Sequence, residues 1–216
     1  MWWQDLIDLV YPPPLLCPLC QIALIEEGLP GCRSCLDQLN LGWRCLDISG
    51  YACYSMGIYE QRLKELLGEV KYHRNYQAGM VLGQVLGLAC QEESSLQGVD
   101  WLLPVPLHPN RLEKRGFNQA LVLAEGIRSV WKRNIFGGAI RRHDTEPLRD
   151  QGPIARRRSL SHAFLLNNPT RLQGKRVLIV DDIFTTGATF QTMAGLVQLY
   201  QGIPLGVFVA KSPREE

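Results

Sequence analysis

The stretch from Val177 to Thr189 constrains this chain more than any other. It reads as an apolar run, Val177-Leu178-Ile179-Val180, then two adjacent carboxylates, Asp181-Asp182, then Ile183-Phe184-Thr185-Thr186-Gly187-Ala188-Thr189, where a helical pattern begins. Continuous apolar runs of this length suit a strand buried on both faces. A strand that passes through a short loop into a helix is the repeating unit of a parallel sheet, since parallel neighbours need a crossover. Ligands on such sheets sit beyond the carboxyl ends of the strands, where this stretch puts its polar residues.

The chemistry of the loop follows from its parts. A helix start leaves its first backbone N–H groups unpaired, here those around Thr186, Gly187, Ala188 and Thr189, and its dipole favours an anion. Gly187 lets the backbone approach closely, and Thr185, Thr186 and Thr189 add hydroxyl donors. The cradle fits one terminal phosphate. Asp181 and Asp182 would repel that phosphate, but they can accept hydrogen bonds from two vicinal hydroxyls or bind Mg²⁺ through water. Phosphate on one side and a diol on the other describe a ribose 5-phosphate.

The remaining pattern predicts an α/β protein, with a mainly parallel sheet flanked by helices and a small N-terminal four-cysteine module. Residues 1–16 suggest a short amphipathic helix stopped by Pro12-Pro13-Pro14. Strands are expected over 51–59, 99–107, 139–142, 176–182 and 205–211. Helices are expected around Leu63–Val70, around Met80–Cys90, over 117–133 with Leu121, Ala124, Ile127, Val130 and Trp131 inward, and over 188–200. Glycines within the second helix point to close packing or a weak helix. Residues 143–163 lack periodicity and read as a loop. The expected division is 1–50 for the N-terminal helix and metal module and 51–216 for the α/β domain.

Cys17-Pro18-Leu19-Cys20 and Cys32-Arg33-Ser34-Cys35 form two C-x-x-C turns with eleven residues between them. Four thiolates in two knuckles can close a tetrahedron around a structural zinc and leave no open catalytic position. A segment this small lacks the core to fold alone, so the metal would supply stability. Cys45, Cys53 and Cys90 are read as small apolar core residues. Seven cysteines, with Asp5 and Asp8 near the start in place of a basic leader, suggest a reducing cytoplasm. No apolar run approaches the ~18 residues that would span a bilayer.

The net charge is only +2, but between Trp101 and Arg176 there are 15 Lys/Arg against 5 Asp/Glu. Such a stretch faces an anion or forms a solvated basic surface. Its aromatics are not interleaved with the cations as single-stranded nucleic-acid binding would want.

Four blocks in this order carry a resemblance: the paired C-x-x-C turns; Pro104-Val105-Pro106-Leu107-His108-Pro109; Lys114-Arg115-Gly116-Phe117-Asn118-Gln119-Ala120; and Val180–Thr189, which is similar to the phosphoribosyl-pyrophosphate (PRPP) signature of type I phosphoribosyltransferases. Together they resemble the ComF family of competence and phosphoribosyltransferase-like proteins. The resemblance implies a type I phosphoribosyltransferase-like fold and PRPP chemistry with Mg²⁺, in which a nitrogen nucleophile displaces pyrophosphate through an oxocarbenium-like transition state. Asp181 and Asp182 would then hold the ribose diol and support the developing positive charge. Asp181, Asp182, Thr185, Thr186, Gly187, Ala188 and Thr189 would bind PRPP. Arg115 is the first candidate donor to the leaving pyrophosphate, with the backbone of Leu107 and His108 second; His108 reads equally as a structural histidine. Lys71 falls where the family carries a basic residue and reads equally as a solvated helix end. Residues 143–163 resemble a hood that closes over substrate, bringing Arg149, Arg156, Arg157 and Arg158 to the pyrophosphate or an acidic acceptor. Members commonly carry Thr-Pro-x-Gln and Arg-x-Asn there, where this chain has Thr145-Glu146-Pro147-Leu148 and Arg158-Ser159. These departures fall on the acceptor side and leave the PRPP loop untouched.

Three functions follow: a Mg²⁺-dependent phosphoribosyltransferase on an unidentified acceptor, a sensor of PRPP or a related phosphosugar without turnover, or, through the family's role in natural transformation, a protein that handles single-stranded DNA with the competence machinery.

Overall fold

A computed structural model describes residues 16–26, 28–142 and 163–213. The expected N-terminal helix and the expected hood, including Arg149, Arg156, Arg157 and Arg158, therefore lie outside the described residues, apart from Leu16 and Ala163 at their edges.

The described chain runs α1 (Arg33–Asp37), β1 (Arg44–Ile48), β2 (Tyr51–Ile58), α2 (Gln61–Tyr72), α3 (Tyr76–Glu92), β3 (Trp101–Pro104), α4 (Pro109–Arg115), α5 (Gln119–Val130), β4 (Asn134–Ile135), β5 (Ala139–Arg141), β6 (Phe164–Leu166), β7 (Arg176–Phe184), α6 (Ala188–Leu199) and β8 (Ile203–Lys211). Six strands form one sheet in the order β1-β2-β8-β7-β3-β4. The pairings β2–β8, β7–β8, β3–β7 and β3–β4 are parallel, and β1 joins β2 antiparallel at the edge. β5 and β6 form a separate antiparallel pair.

The two faces of the sheet are covered by different elements. Leu178 and Val180 pack with Leu66 and Leu67 of α2, Leu82 and Leu86 of α3, and Leu123 and Ile127 of α5. Val177 and Ile179 pack the other way, with Phe190, Met193 and Val197 of α6 and with Phe164 and Leu166 of β6. This alternation along β7 is the period-two geometry of a strand, and it carries on into the site.

Close approach explains the glycines of α3. A Cβ on Gly83 would stand 2.4 Å from the Leu123 carbonyl oxygen, and one on Gly126 of α5 would stand 2.6 Å from the Met80 carbonyl oxygen. The two helices touch backbone to backbone, so a side chain at either point would wedge them apart.

Several sequence expectations need correction. Leu121 is 37% exposed, so it faces solvent while Val122 and Leu123 turn inward. Cys45 is exposed on the edge strand β1, whereas Cys53 and Cys90 are fully buried as read. The strand expected to reach Leu107 ends at Pro104, because proline cannot donate to a ladder and Pro104 and Pro106 bracket the exit. β7 runs two residues further than expected, to Phe184, so the acidic pair lies within the strand rather than at its end.

Candidate functional site

The central strand delivers the acidic pair. Asp181 still holds register with Phe208 of β8, and the strand closes at Phe184 opposite Lys211. Strand alternation sends the two carboxylates to opposite faces. Asp182 follows Val180 toward α2, where its Oδ2 lies 2.8 Å from the Lys71 ammonium. Asp181 follows Ile179 toward the β5–β6 side, and the charges of Lys71 and, less strongly, Arg141 act on it. The Asp182 backbone N–H also donates to Asp181 Oδ1 at 2.9 Å. Burial, and then the neighbouring Asp182 carboxylate, push the Asp181 carboxyl up to about 7.

The chain then turns. Thr185 and Thr186 are exposed, and Gly187 takes the left-handed conformation with φ of 76°. A Cβ there would stand 2.9 Å from the Phe184 ring and 3.3 Å from Ile48, so both conformation and space call for glycine. The first bond inside α6 runs from Gln191 N–H to the Gly187 carbonyl at 2.8 Å, and no side chain caps this end. Ahead of that bond, the amides of Ala188, Thr189 and Phe190 are those a helix cannot satisfy internally. The turn has open hydroxyls, a close-approach glycine and amide donors, beside two carboxylates.

The loop after β3 runs alongside. β3 is the parallel neighbour of β7, with Pro104 opposite Val180 and the Val105 N–H donating to the Val180 carbonyl at 3.0 Å. Asn118 starts α5: its Oδ1 accepts from the Ala120 N–H at 3.1 Å, and its Nδ2 donates to the Val105 carbonyl at 3.0 Å. One side chain thus caps a helix and fixes the loop that carries Leu107 and His108. His108 has a structural task of its own, since its Nδ1 accepts from the Asn110 N–H at the start of α4. Arg115 ends α4, half-buried, before a left-handed Gly116. That end is tied to the α2–α3 junction by Arg74, which donates to the Lys114 carbonyl at 3.2 Å.

The four cysteines of the two knuckles converge, with all four sulfurs within 4.8 Å of one another. Cys20 Sγ and Cys32 Sγ are 3.9 Å apart, against ~3.8 Å for the edge of a tetrahedron of thiolates around zinc. The donor set and its dimensions therefore fit a tetrahedral thiophilic ion. Backbone N–H groups of Ala23 and Ile22 lower the Cys20 thiol to about 6, while burial and the neighbouring sulfurs push Cys35 up. Four sulfurs this close need a shared cation if all are to ionise.

The chain is 30% identical over 187 residues to DNA utilization protein YhgH of Escherichia coli O157:H7, covering 84% of this chain and 77% of that one. It is 28% identical over 173 residues to Competence protein F of Haemophilus influenzae, covering 77% and 72%. The chain belongs to the ComF family. No protein-family model matches it. Among solved structures, the glutamine PRPP amidotransferase of B. subtilis complexed with ADP and GMP aligns with a TM-score of 0.42 at 16% identity, over 60% of this chain and 26% of that protein.

In this ComF chain the structure brings Asp181, Asp182, the Thr185–Thr189 turn and the Val105–His108 loop to one edge of the sheet. It adds two cations there. Lys71 was ambiguous in the sequence because it meets Asp182 only through tertiary packing, and Arg141, whose charge acts on Asp181, carried no signal. Much of the basic stretch goes elsewhere. Arg133 lies over Trp131 and Arg171 over Trp101, Arg176 bonds the Ser95 carbonyl, and Lys175 pairs with Asp100 at 3.1 Å. These four stand near the starts of β3, β4 and β7, at the opposite edge from the acidic pair.

Among the described residues no helix is long and apolar enough to cross a membrane.

Proposed function

We propose that this protein binds PRPP at the end of β7 and transfers its phosphoribosyl group to a nitrogen nucleophile, in support of DNA uptake in natural transformation. One observation carries the reading: a partly buried carboxylate pair leads straight into an open turn of hydroxyls and unpaired helix amides. The α6 amides and the Thr185, Thr186 and Thr189 hydroxyls hold the 5-phosphate. Asp181 and Asp182 accept hydrogen bonds from the ribose diol and face the positive charge that builds at C1. Leu107, His108 and Arg115 line the pyrophosphate side. Arg156, Arg157 and Arg158 complete the binding from the segment between β5 and β6.

Mg²⁺ fits the acidic pair by chemistry: it takes oxygen ligands and binds through one or two carboxylates plus substrate phosphates. It would neutralise the pyrophosphate as it leaves. The four cysteines hold a structural zinc in a module within residues 1–50, whose last strand is stitched onto the body of residues 51–216. The free thiols suit a reducing cytoplasm.

Incubation of the purified protein with PRPP and Mg²⁺ across a panel of nucleobases and amines tests turnover. Pyrophosphate release dependent on one acceptor is expected. Tight PRPP binding without release on any acceptor would instead favour a sensor.

The names of the relatives, DNA utilization protein and Competence protein F, favour a second reading in which the chain handles single-stranded DNA. Binding through phosphate contacts would fall steeply with salt.

A further inference from the structure

Lys71 is the last-turn cation of α2, at the negative end of that helix. The Lys71 and Asp182 side chains are 14% and 15% exposed, and Nζ and Oδ2 are 2.8 Å apart. Val70, next in the chain, is buried against the core, so the backbone that carries Lys71 is fixed, and the ammonium sits on a flexible four-carbon stem. A pair so withdrawn from water resists separation, because either partner left alone is a bare charge. Asp181 lies on the other face of β7, yet the Lys71 charge acts on it too, ahead of that of Arg141. Lys71 is thus both the ion-pair partner of Asp182 and the stronger of the two cations acting on Asp181.

This arrangement has a consequence for metal. Two adjacent carboxylates near the end of β7 would attract a divalent ion by themselves, yet Asp182 is already engaged. Mg²⁺ gains little from one or two carboxylates until phosphate oxygens complete its shell. A phosphorylated ligand changes both sides of this balance, since it brings oxygens for the metal and a new anionic partner for the displaced ammonium.

We propose that Lys71 is the resident counter-ion of the acidic pair. In the free protein it keeps divalent metal off Asp182, and it yields its place only to a phosphosugar arriving with its own cation. The nature of the ligand rests on the function proposed above; the exclusion of free metal does not.

Manganese alone, titrated into the full-length protein and followed by electron paramagnetic resonance, tests the exclusion. Lys71→Met should bind Mn²⁺ about tenfold more tightly than wild type, a change of about 1.4 kcal/mol. Lys71→Arg should behave as wild type. Lys71→Met combined with Asp182→Asn should lose the gain. A folded Lys71→Met protein that binds Mn²⁺ no more tightly than wild type would overturn the proposal. So would micromolar Mn²⁺ binding by the wild type alone.

Should Lys71→Met not fold, wild-type protein carrying ¹³C-dimethylated lysines, which keep their charge, gives the same answer by NMR. The Lys71 signal, assigned by its loss in Lys71→Arg, should stay in place with Mg²⁺ alone and move with Mg²⁺ and PRPP together. Movement with Mg²⁺ alone would overturn the proposal. With the manganese results as expected, silence toward PRPP would remove the phosphosugar reading and leave the counter-ion assignment standing.

Discussion

Asp181 sits where burial and a neighbouring carboxylate both oppose its ionisation, and this sets a pH dependence whose sign can be worked out. Its carboxyl lies at about 7 in the folded protein against 3.8 as its ordinary value. The folded state therefore holds a proton that the unfolded state has lost, and stability falls as pH rises through that window. Asp181→Asn removes the cost, so its gain in melting temperature over wild type should be small at pH 4, grow up to about pH 7 and then level off. A gain independent of pH would mean that the pair does not interact as described. Gly187→Ala should destabilise by about 1–3 kcal/mol, from the left-handed φ and the contact with Phe184; urea unfolding measures it, and PRPP affinity should drop with it. The sequence exposed these positions because their chemistry is local: carboxylates, hydroxyls and glycine follow one another along the chain. Lys71 was legible only as a basic residue at the end of α2, and Arg141 not at all, since Lys71 meets Asp182, and the Arg141 charge reaches Asp181, only after α2 and β5 have packed.

Elements with strong periodicity were readable for a physical reason. β7 and β8 are continuous apolar runs buried on both faces, and α2 repeats Leu63, Leu66, Leu67 and Val70 at helical spacing. Elements that bury little gave no such signal. α4 has no buried residue, and β1 is a mostly exposed edge strand. The glycines around α3 left two meanings open, and packing decides between them: α3 and α5 meet at Gly83 and Gly126 with no room for a methyl group. Gly126→Ala should therefore cost about 1–3 kcal/mol despite the better helix propensity of alanine. A variant as stable as wild type in thermal unfolding would contradict this contact.

Across the whole molecule, the cysteine module and the sheet share a core. Cys17, Leu19, Cys32, Cys35 and Leu39 belong to the same buried cluster as Leu63 and Leu66 of α2, and Arg62 of α2 donates to the Leu19 carbonyl at 3.1 Å. α2 thus touches the four-cysteine module at one end and reaches Asp182 through Lys71 at the other. Purified protein should carry about one zinc per chain. A strong chelator should lower the melting temperature of the whole protein, not only release a fraying terminus; elemental analysis and calorimetry read the two effects. The proposed chemistry stands on the carboxylate pair and the turn that follows it. Isothermal titration of PRPP with Mg²⁺ into wild type and into the Asp181→Ala, Asp182→Ala double variant tests it most directly. One saturable site in the wild type and none in an equally folded double variant is the predicted result; equal PRPP affinity in both proteins would contradict it.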